Sequence, residues 1–153
     1  MDERVICTNR KLFRDYEVLD TFECGIELKG SEVKSLRDAQ ANIDDSFARP
    51  EGREVLLYHC HITPYEKASY FKEEATRPRR LLLHRSQINR LIMAVQQRGC
   101  SLAPMKMYFN KKGFVKVALS LVKGRKAYDK RQEIKRKETE RDMRKIIKNR
   151  RQN

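Results

Sequence analysis

The stretch Tyr16-Glu17-Val18-Leu19-Asp20-Thr21-Phe22-Glu23-Cys24-Gly25-Ile26-Glu27-Leu28 decides the fold class. Its even positions read Tyr, Val, Asp, Phe, Cys, Ile and Leu, six of the seven apolar or aromatic; its odd positions read Glu, Leu, Thr, Glu, Gly and Glu. Successive side chains on a strand point to opposite faces, so this period of two predicts one long, half-buried strand. Further strands follow outward from it. One is expected over Val55–Ile62, after a turn at Pro50–Arg53, with a shorter one at Ser46–Arg49. Leu102–Phe109 and Phe114–Leu121 read as a hairpin closed by Asn110–Gly113, with Val115, Val117, Leu119 and Leu121 on one face.

Two helices interrupt the strands. Ser31 is a suitable N-cap, Glu32 favours the positive helix end, and Val33 and Leu36 then face inward. A second helix is expected from Ser86 to Gly99, a natural residue just past a helix end. Ile88, Leu91, Ile92 and Val95 fall at i, i+3, i+4 and i+7, one apolar stripe. The expected fold is mainly β with flanking α-helices: a closed antiparallel β-barrel, which leaves no unpaired strand edges, followed by a basic C-terminal tail.

The charge points to the partner. The 153 residues carry 35 Lys/Arg against 21 Asp/Glu, a net charge of +14. Such an excess implies a polyanion, with nucleic acid ahead of an anionic membrane surface. Residues 123–153 hold 14 Lys/Arg and 5 Asp/Glu, so a near-balanced body precedes a strongly basic tail. We divide the chain into an RNA-binding body, residues 1–123, and a tail, residues 124–153. Asp129 to Arg150 is rich in helix formers but has few large apolar residues, so it cannot offset its ordering entropy alone. It is expected to be disordered when free and helical when bound. The sequence has no run of about 18 apolar residues and no signal-like apolar core in Met1–Arg10, so a cytoplasmic location is expected. Cys7, Cys24, Cys60 and Cys100 form no Cys-x-x-Cys pair and read as free thiols, with Cys24 and Cys60 packed as small apolar residues.

No catalytic chemistry stands out. His59-Cys60-His61 on a strand would place both histidines on one face, with no third metal ligand suggested. Asp44 and Asp45 read as turn residues. No P-loop, GxGxxG or HExxH occurs. We expect no enzyme, no metal and no cofactor. The nucleic-acid signal is stronger. Asn9-Arg10-Lys11 precedes the long strand; Arg77, Arg79, Arg80 and Arg85 surround Leu81-Leu82-Leu83; Lys111, Lys112, Lys123, Arg125, Lys126, Lys130 and Arg131 complete a basic series. Tyr128, among cations, suits stacking on an exposed base, and the cations suit phosphate.

Several segments carry a closer likeness. Asn9-Arg10-Lys11, Asp15-Tyr16, Thr21-Phe22-Glu23 and Gly25-Ile26 lead into Gly30-Ser31-Glu32-Val33-Lys34-Ser35-Leu36-Arg37. Ala41-Asn42-Ile43, Asp45-Ser46-Phe47, Ile62-Thr63-Pro64-Tyr65 and Arg80-Leu81-Leu82-Leu83-His84 follow. Gly124-Arg125-Lys126, Tyr128-Asp129-Lys130-Arg131 and Ile134-Lys135 complete the set. In this order they resemble the small protein B (SmpB) family, the SsrA-binding proteins. The resemblance implies an oligonucleotide-binding-like barrel. It also implies a role in trans-translation: binding the tRNA-like domain of tmRNA, promoting its alanylation by alanyl-tRNA synthetase, and delivering it with elongation factor Tu to a ribosome stalled without a stop codon. The tail would enter the vacant mRNA channel along 16S rRNA.

By position, the resemblance gives RNA-binding roles to Asn9, Arg10, Lys11, Glu23, Arg80, Leu82, Lys123, Arg125 and Lys126. It gives decoding-centre and channel roles to Tyr128, Asp129, Lys130, Arg131, Ile134 and Lys135. From pattern alone Glu23 reads as a solvated strand residue and Leu82 as core. Ala39-Gln40 stands where the family often has Gly-Lys, so the first helix is expected to end differently. Leu12-Phe13 replaces smaller, more basic residues, and Pro78 removes a backbone donor inside the basic stretch. Composition alone also fits a structural ribosomal protein, which would stay on every ribosome through high-salt washing.

Overall fold

The computed structural model describes residues 3–65, 74–96, 99–124, 141 and 143–145. The alternating stretch is a strand, β2 (Tyr16–Ile26). Phe22, Cys24 and Ile26 are buried, while Glu17, Leu19, Thr21 and Glu23 face solvent. The register slips between Val18 and Asp20, which leaves Leu19 exposed without turning the rest of the strand over. Before β2 lie β1 (Arg4–Thr8) and a single helical turn, α1 (Leu12–Asp15). After it come α2 (Gly30–Arg37), β3 (Ala41–Asn42), β4 (Phe47–Glu51), β5 (Glu54–Tyr58), β6 (His61–Ile62) and β7 (Arg79–Leu82). The described body ends with α3 (Arg85–Gln96) and a long hairpin, β8 (Cys100–Phe109) and β9 (Val115–Gly124).

Seven strands form one antiparallel sheet in the order β1-β8-β4-β5-β7-β2-β9, and β9 also pairs with β8. The pairings therefore run in a ring from β8 through β4, β5, β7, β2 and β9 back to β8. The fold is mainly β with a few helices, as the alternation implied. The ring encloses Phe22, Cys24, Leu57, Leu81, Leu102, Met107, Val117 and Leu119; Leu36 of α2 and Leu91 of α3 pack into the same core. A smaller cluster gathers Leu12, Ala103 and Val122. Leu12 is fully buried and its neighbour Phe13 is 59% exposed. The larger residue at position 12 thus fills the core beside α1, a burial worth about 1.5–3 kcal/mol.

Turn chemistry holds the hairpins. Asn110 Oδ1 accepts from the N–H groups of Lys112 (3.0 Å) and Phe114 (2.9 Å), and Gly113 takes the left-handed backbone, φ 84°, that the turn requires.

Three expectations need correction. The strand expected over Val55–Ile62 breaks into β5 and β6, because His59 adopts a left-handed backbone, φ 58°. His59 and His61 are nonetheless exposed and Cys60 buried, on opposite sides as the spacing implied. The first helix is capped by Lys29 rather than Ser31: the Lys29 N–H donates to Glu32 Oε1 at 2.8 Å, so Glu32 serves the helix start from inside the fold. Lastly, Arg79 does not belong to a basic surface. It is fully buried, as strand β7 turns its side chain inward.

Candidate nucleic-acid interface

The three residues Asn9-Arg10-Lys11 form the link between β1 and α1. Asn9 is buried. Its N–H donates to Met105 O (2.8 Å), its Nδ2 donates to Pro104 O (3.0 Å), and its Oδ1 accepts from the Lys11 N–H (3.2 Å). Its amide therefore pins the link to β8. Arg10 and Lys11 are exposed on that link. The Arg10 N–H donates to Asp44 Oδ1 at 2.9 Å, leaving its guanidinium outward, and Lys11 Nζ pairs with Asp45 at 3.0 Å. Asn9, Lys11, Asp44, Asp45 and Phe47 line one cleft of about 210 Å³. Asp44 and Asp45 sit in the turn expected of them, and the turn braces the basic link.

Glu23 and Leu82 meet on another part of the ring. Gly25 of β2 faces Leu82 of β7, and a Cβ on Gly25 would stand 3.1 Å from the Leu82 Cβ. The glycine thus lets β7 carry an outward leucine, 47% exposed, across β2. Leu82, Glu23, His84, Gln87 and Lys116 line a groove of about 530 Å³. A carboxylate, an ammonium and an apolar floor in one groove suit a base edge or ribose: the carboxylate accepts amino and hydroxyl protons and discourages phosphate, which the ammonium attracts. Tyr108 lies close enough to feel this carboxylate. Burial first, and then Glu23, push its hydroxyl up to about 12.

Arg80 is exposed and bridges Glu27 (2.9 Å) and Glu54 (3.2 Å). Lys123 is exposed near the end of β9, opposite Glu17 of β2 and Cys100 of β8. The structure thus places Glu23 and Leu82 together, Asn9 and Lys11 together, and neither pair in the other's cleft. Arg125, Lys126, Tyr128, Asp129, Lys130, Arg131, Ile134 and Lys135 lie outside the described residues, as does nearly all of the tail's expected order-on-binding. Lys116, His84 and Gln87 were given no site role from the sequence. Lys116 alternates with Val115 and Val117, which marks it as outward, but its closeness to Glu23 depends on the β2–β9 register, where Lys116 faces Gly25.

Behind this surface sits a buried ion cluster. Glu32 and Arg79 are 4% and 0% exposed. Arg79 Nε donates to Glu32 Oε2 at 2.7 Å, and the other guanidinium protons reach the carbonyls of Cys60 (2.5 Å), Arg77 (3.3 Å) and Ala75 (3.0 Å). Arg77 binds the other carboxylate oxygen. Burial alone would raise the Glu32 carboxyl, but hydrogen bonds from Arg77, the Lys29 N–H and Arg79 outweigh it and hold the group below its ordinary range. The cluster ties α2 to β7 and to the chain just before it. Nearby, burial pushes the Cys60 thiol up to about 11; a thiol so protonated is a poor nucleophile at neutral pH.

The family model for SmpB protein matches residues 6–149. The SsrA-binding protein of Caldicellulosiruptor saccharolyticus is 51% identical over 147 residues, spanning 96% of this chain and 92% of the relative. The SsrA-binding protein of Syntrophobacter fumaroxidans is 52% identical over 149 residues, 97% of this chain and 92% of its own length. Among solved structures, a chain described under "tmRNA-SmpB: a journey to the center of the bacterial ribosome" superposes with a TM-score of 0.68 at 49% identity, covering 83% of this chain and 89% of its own. With about half of its residues shared across nearly its whole length, this chain belongs to the SmpB protein family.

Proposed function

We propose that this protein is a tmRNA-binding factor of trans-translation. It binds the tRNA-like domain of tmRNA, brings it to ribosomes stalled without a stop codon, and probes the empty mRNA channel with its C-terminal tail. The observation that carries this reading is the family match, which runs from residue 6 to residue 149 and so takes in both the body and the basic tail. The strand ring acts as a closed oligonucleotide-binding-like barrel, residues 1–123, with residues 124–153 as the tail. Arg10 and Lys11, positioned by Asn9, make one RNA contact, and Glu23 and Leu82 make another. Arg80, Lys123, Arg125 and Lys126 add phosphate contacts. Tyr128, Asp129, Lys130, Arg131, Ile134 and Lys135 work at the decoding centre and in the channel, against 16S rRNA. Elongation factor Tu and alanyl-tRNA synthetase are partners through the RNA rather than by direct contact. The protein acts by binding, not by catalysis, in the cytoplasm; no helix of the described residues is long and apolar enough to cross a membrane.

The test separates the two parts. Full-length protein and a variant lacking residues 129–153 are compared for binding to cognate tmRNA, against excess ordinary tRNA over a salt series, and for tagging in a stalled translation reaction. The truncated protein should bind as the full chain does and support no tagging. Loss of both activities would defeat the division of labour. Equal, salt-labile binding of tmRNA and tRNA by the full chain would defeat the reading itself.

A further inference from the structure

The outer side of the β4–β5 hairpin and the residue just after it carry four side chains outside the core, of which only Phe47 also lines the Asn9–Lys11 cleft. Phe47 and Tyr58 are partners across the hairpin, and their rings stack with centroids 5.4 Å apart and planes 15° apart. His59 meets Phe47 edge-on at 5.2 Å. The Arg49 guanidinium lies 5.5 Å from the Tyr58 ring centre and 5.7 Å from that of Phe47. Ala48, Val55 and Leu57 of the same strands are buried, so alternation turns Phe47, Arg49 and Tyr58 outward.

A cross-strand aromatic pair stiffens any hairpin, and that accounts for the two rings alone. It does not account for Arg49. This side chain is exposed and makes no ion pair among the described residues, although Glu51 stands two positions along the same strand. Glu51 is instead engaged by the Tyr58 hydroxyl, which fixes that ring. Lys11, Arg77, Arg79, Arg80 and Arg90 all hold carboxylates; Arg49 rests on aromatic faces with its charge unspent. The platform also adjoins a surface already assigned to RNA, because Phe47 lines the same cleft as Asn9 and Lys11. Flat rings beside an unneutralised guanidinium suit a flat, electron-rich group with an anion attached. A nucleobase and its phosphate have that form, and the base must be unpaired for its face to be free.

We infer that the Phe47–Tyr58 platform stacks one unpaired base of the RNA held at Asn9–Lys11, with Arg49 on the adjoining phosphate. The inference rests on the RNA-binding reading above and extends its footprint to the β4–β5 hairpin.

The experiment uses full-length protein and a transcript of the tRNA-like domain of cognate tmRNA, with ordinary tRNA as competitor. Tyr58→Leu removes the ring and should weaken binding about tenfold, as expected for one lost base–aromatic stack; Tyr58→Phe keeps the ring and should bind as wild type. Arg49→Gln should weaken binding a few-fold and lower the salt slope by about one phosphate's worth. Ultraviolet crosslinking of the wild-type complex, read by mass spectrometry, should give an adduct on the peptide containing Tyr58; this arm does not depend on any variant folding. Wild-type preference for the transcript, with unchanged binding by folded Tyr58→Leu and Arg49→Gln and no adduct at Tyr58, overturns the platform and leaves the RNA-binding reading standing. No wild-type preference overturns both. A defect confined to binding empty ribosomes also overturns it, by assigning the platform to ribosomal RNA.

Discussion

Replacing Glu32 by Gln should destabilise this protein severely, although the change removes no carbon and leaves the helix propensity almost as it was. The carboxylate is 4% exposed, and its donors are the Lys29 N–H, the fully buried Arg79 guanidinium and the partly buried Arg77. In Glu32→Gln one carboxylate oxygen becomes an NH2 group, which cannot accept from Arg77 or Arg79. The remaining amide oxygen still accepts one of these bonds, but the Arg79 charge is then fully buried with no counter-charge, held only by neutral acceptors that include the carbonyls of Cys60, Arg77 and Ala75. Stranding one member of a buried pair costs about 3–5 kcal/mol, against a total stability of roughly 5–15 kcal/mol for a domain of this kind. Arg79→Met should cost a similar amount, because it leaves the carboxylate with Arg77 and the Lys29 N–H only. The double variant Glu32→Gln/Arg79→Met should cost clearly less than the two singles summed, since neither charge is then stranded.

Urea unfolding followed by circular dichroism at pH 7 measures all four proteins. The same network sets a pH dependence. Glu32 is held below its ordinary carboxyl range, so its stabilisation is fully present above the unfolded-state value, near 4.3. It fades as the pH falls through the lower folded-state value. Wild type should therefore lose stability on acidification below about pH 4 more steeply than Glu32→Gln, which lacks the group. A Glu32→Gln loss under about 1 kcal/mol, or strictly additive single and double variants, would refute a buried, mutually dependent pair.

Two smaller effects follow from local geometry. Helix α2 ends with the Ala39 N–H bonded to Leu36 O (3.0 Å) and the Gln40 N–H to Ser35 O (3.0 Å), the glycine-type helix stop, yet Ala39 takes it with φ 55°; Ala39→Gly should raise stability by about 1 kcal/mol in the same urea assay, from relief of left-handed strain. Ser120 is fully buried on β9 with its hydroxyl unpartnered among the described residues; Ser120→Ala should be neutral or stabilise by up to about 1 kcal/mol in thermal melts, because no hydrogen bond is lost and a desolvated hydroxyl is removed.

Alternation made β2, β8 and β9 legible, because a strand with one face on the core advertises its period along ten or so residues. The α3 stripe was legible for the same reason. What escaped was short or paradoxical. β1 and β7 span five and four residues, too few for a period to show, and β7 begins with two arginines. One of those arginines points in and the other out; only the strand's pairing with β5 and β2 tells them apart. The Ala39-Gln40 departure suggested a different helix end, and the structure has the glycine-type stop with alanine bearing its strain. Glu23 read as a solvated strand residue by pattern, and it is one. Its meaning comes from Leu82 and Lys116, brought beside it by contacts distant in sequence.

The placement of charge explains why the body and the tail differ. Among the described residues, some of the body's cations are held by carboxylates within the fold: Arg77 and Arg79 on Glu32, Arg80 on Glu27 and Glu54, Lys11 on Asp45, Arg90 on Asp20. The exposed pairs among these contribute little stability each, but each neutralises charge locally. On the proposed reading, RNA at this surface meets the groove at Glu23 and Leu82 together with the body's cations that no carboxylate holds. Such a surface would discriminate by shape as well as by charge. The tail, residues 124–153, has 13 Lys/Arg against 5 Asp/Glu, so on the proposed reading its binding is driven by phosphate and is indifferent to sequence. On the proposed division of labour, a selective body carrying an unselective tail would bring an indiscriminate polycation only where the body's chosen RNA has already gone.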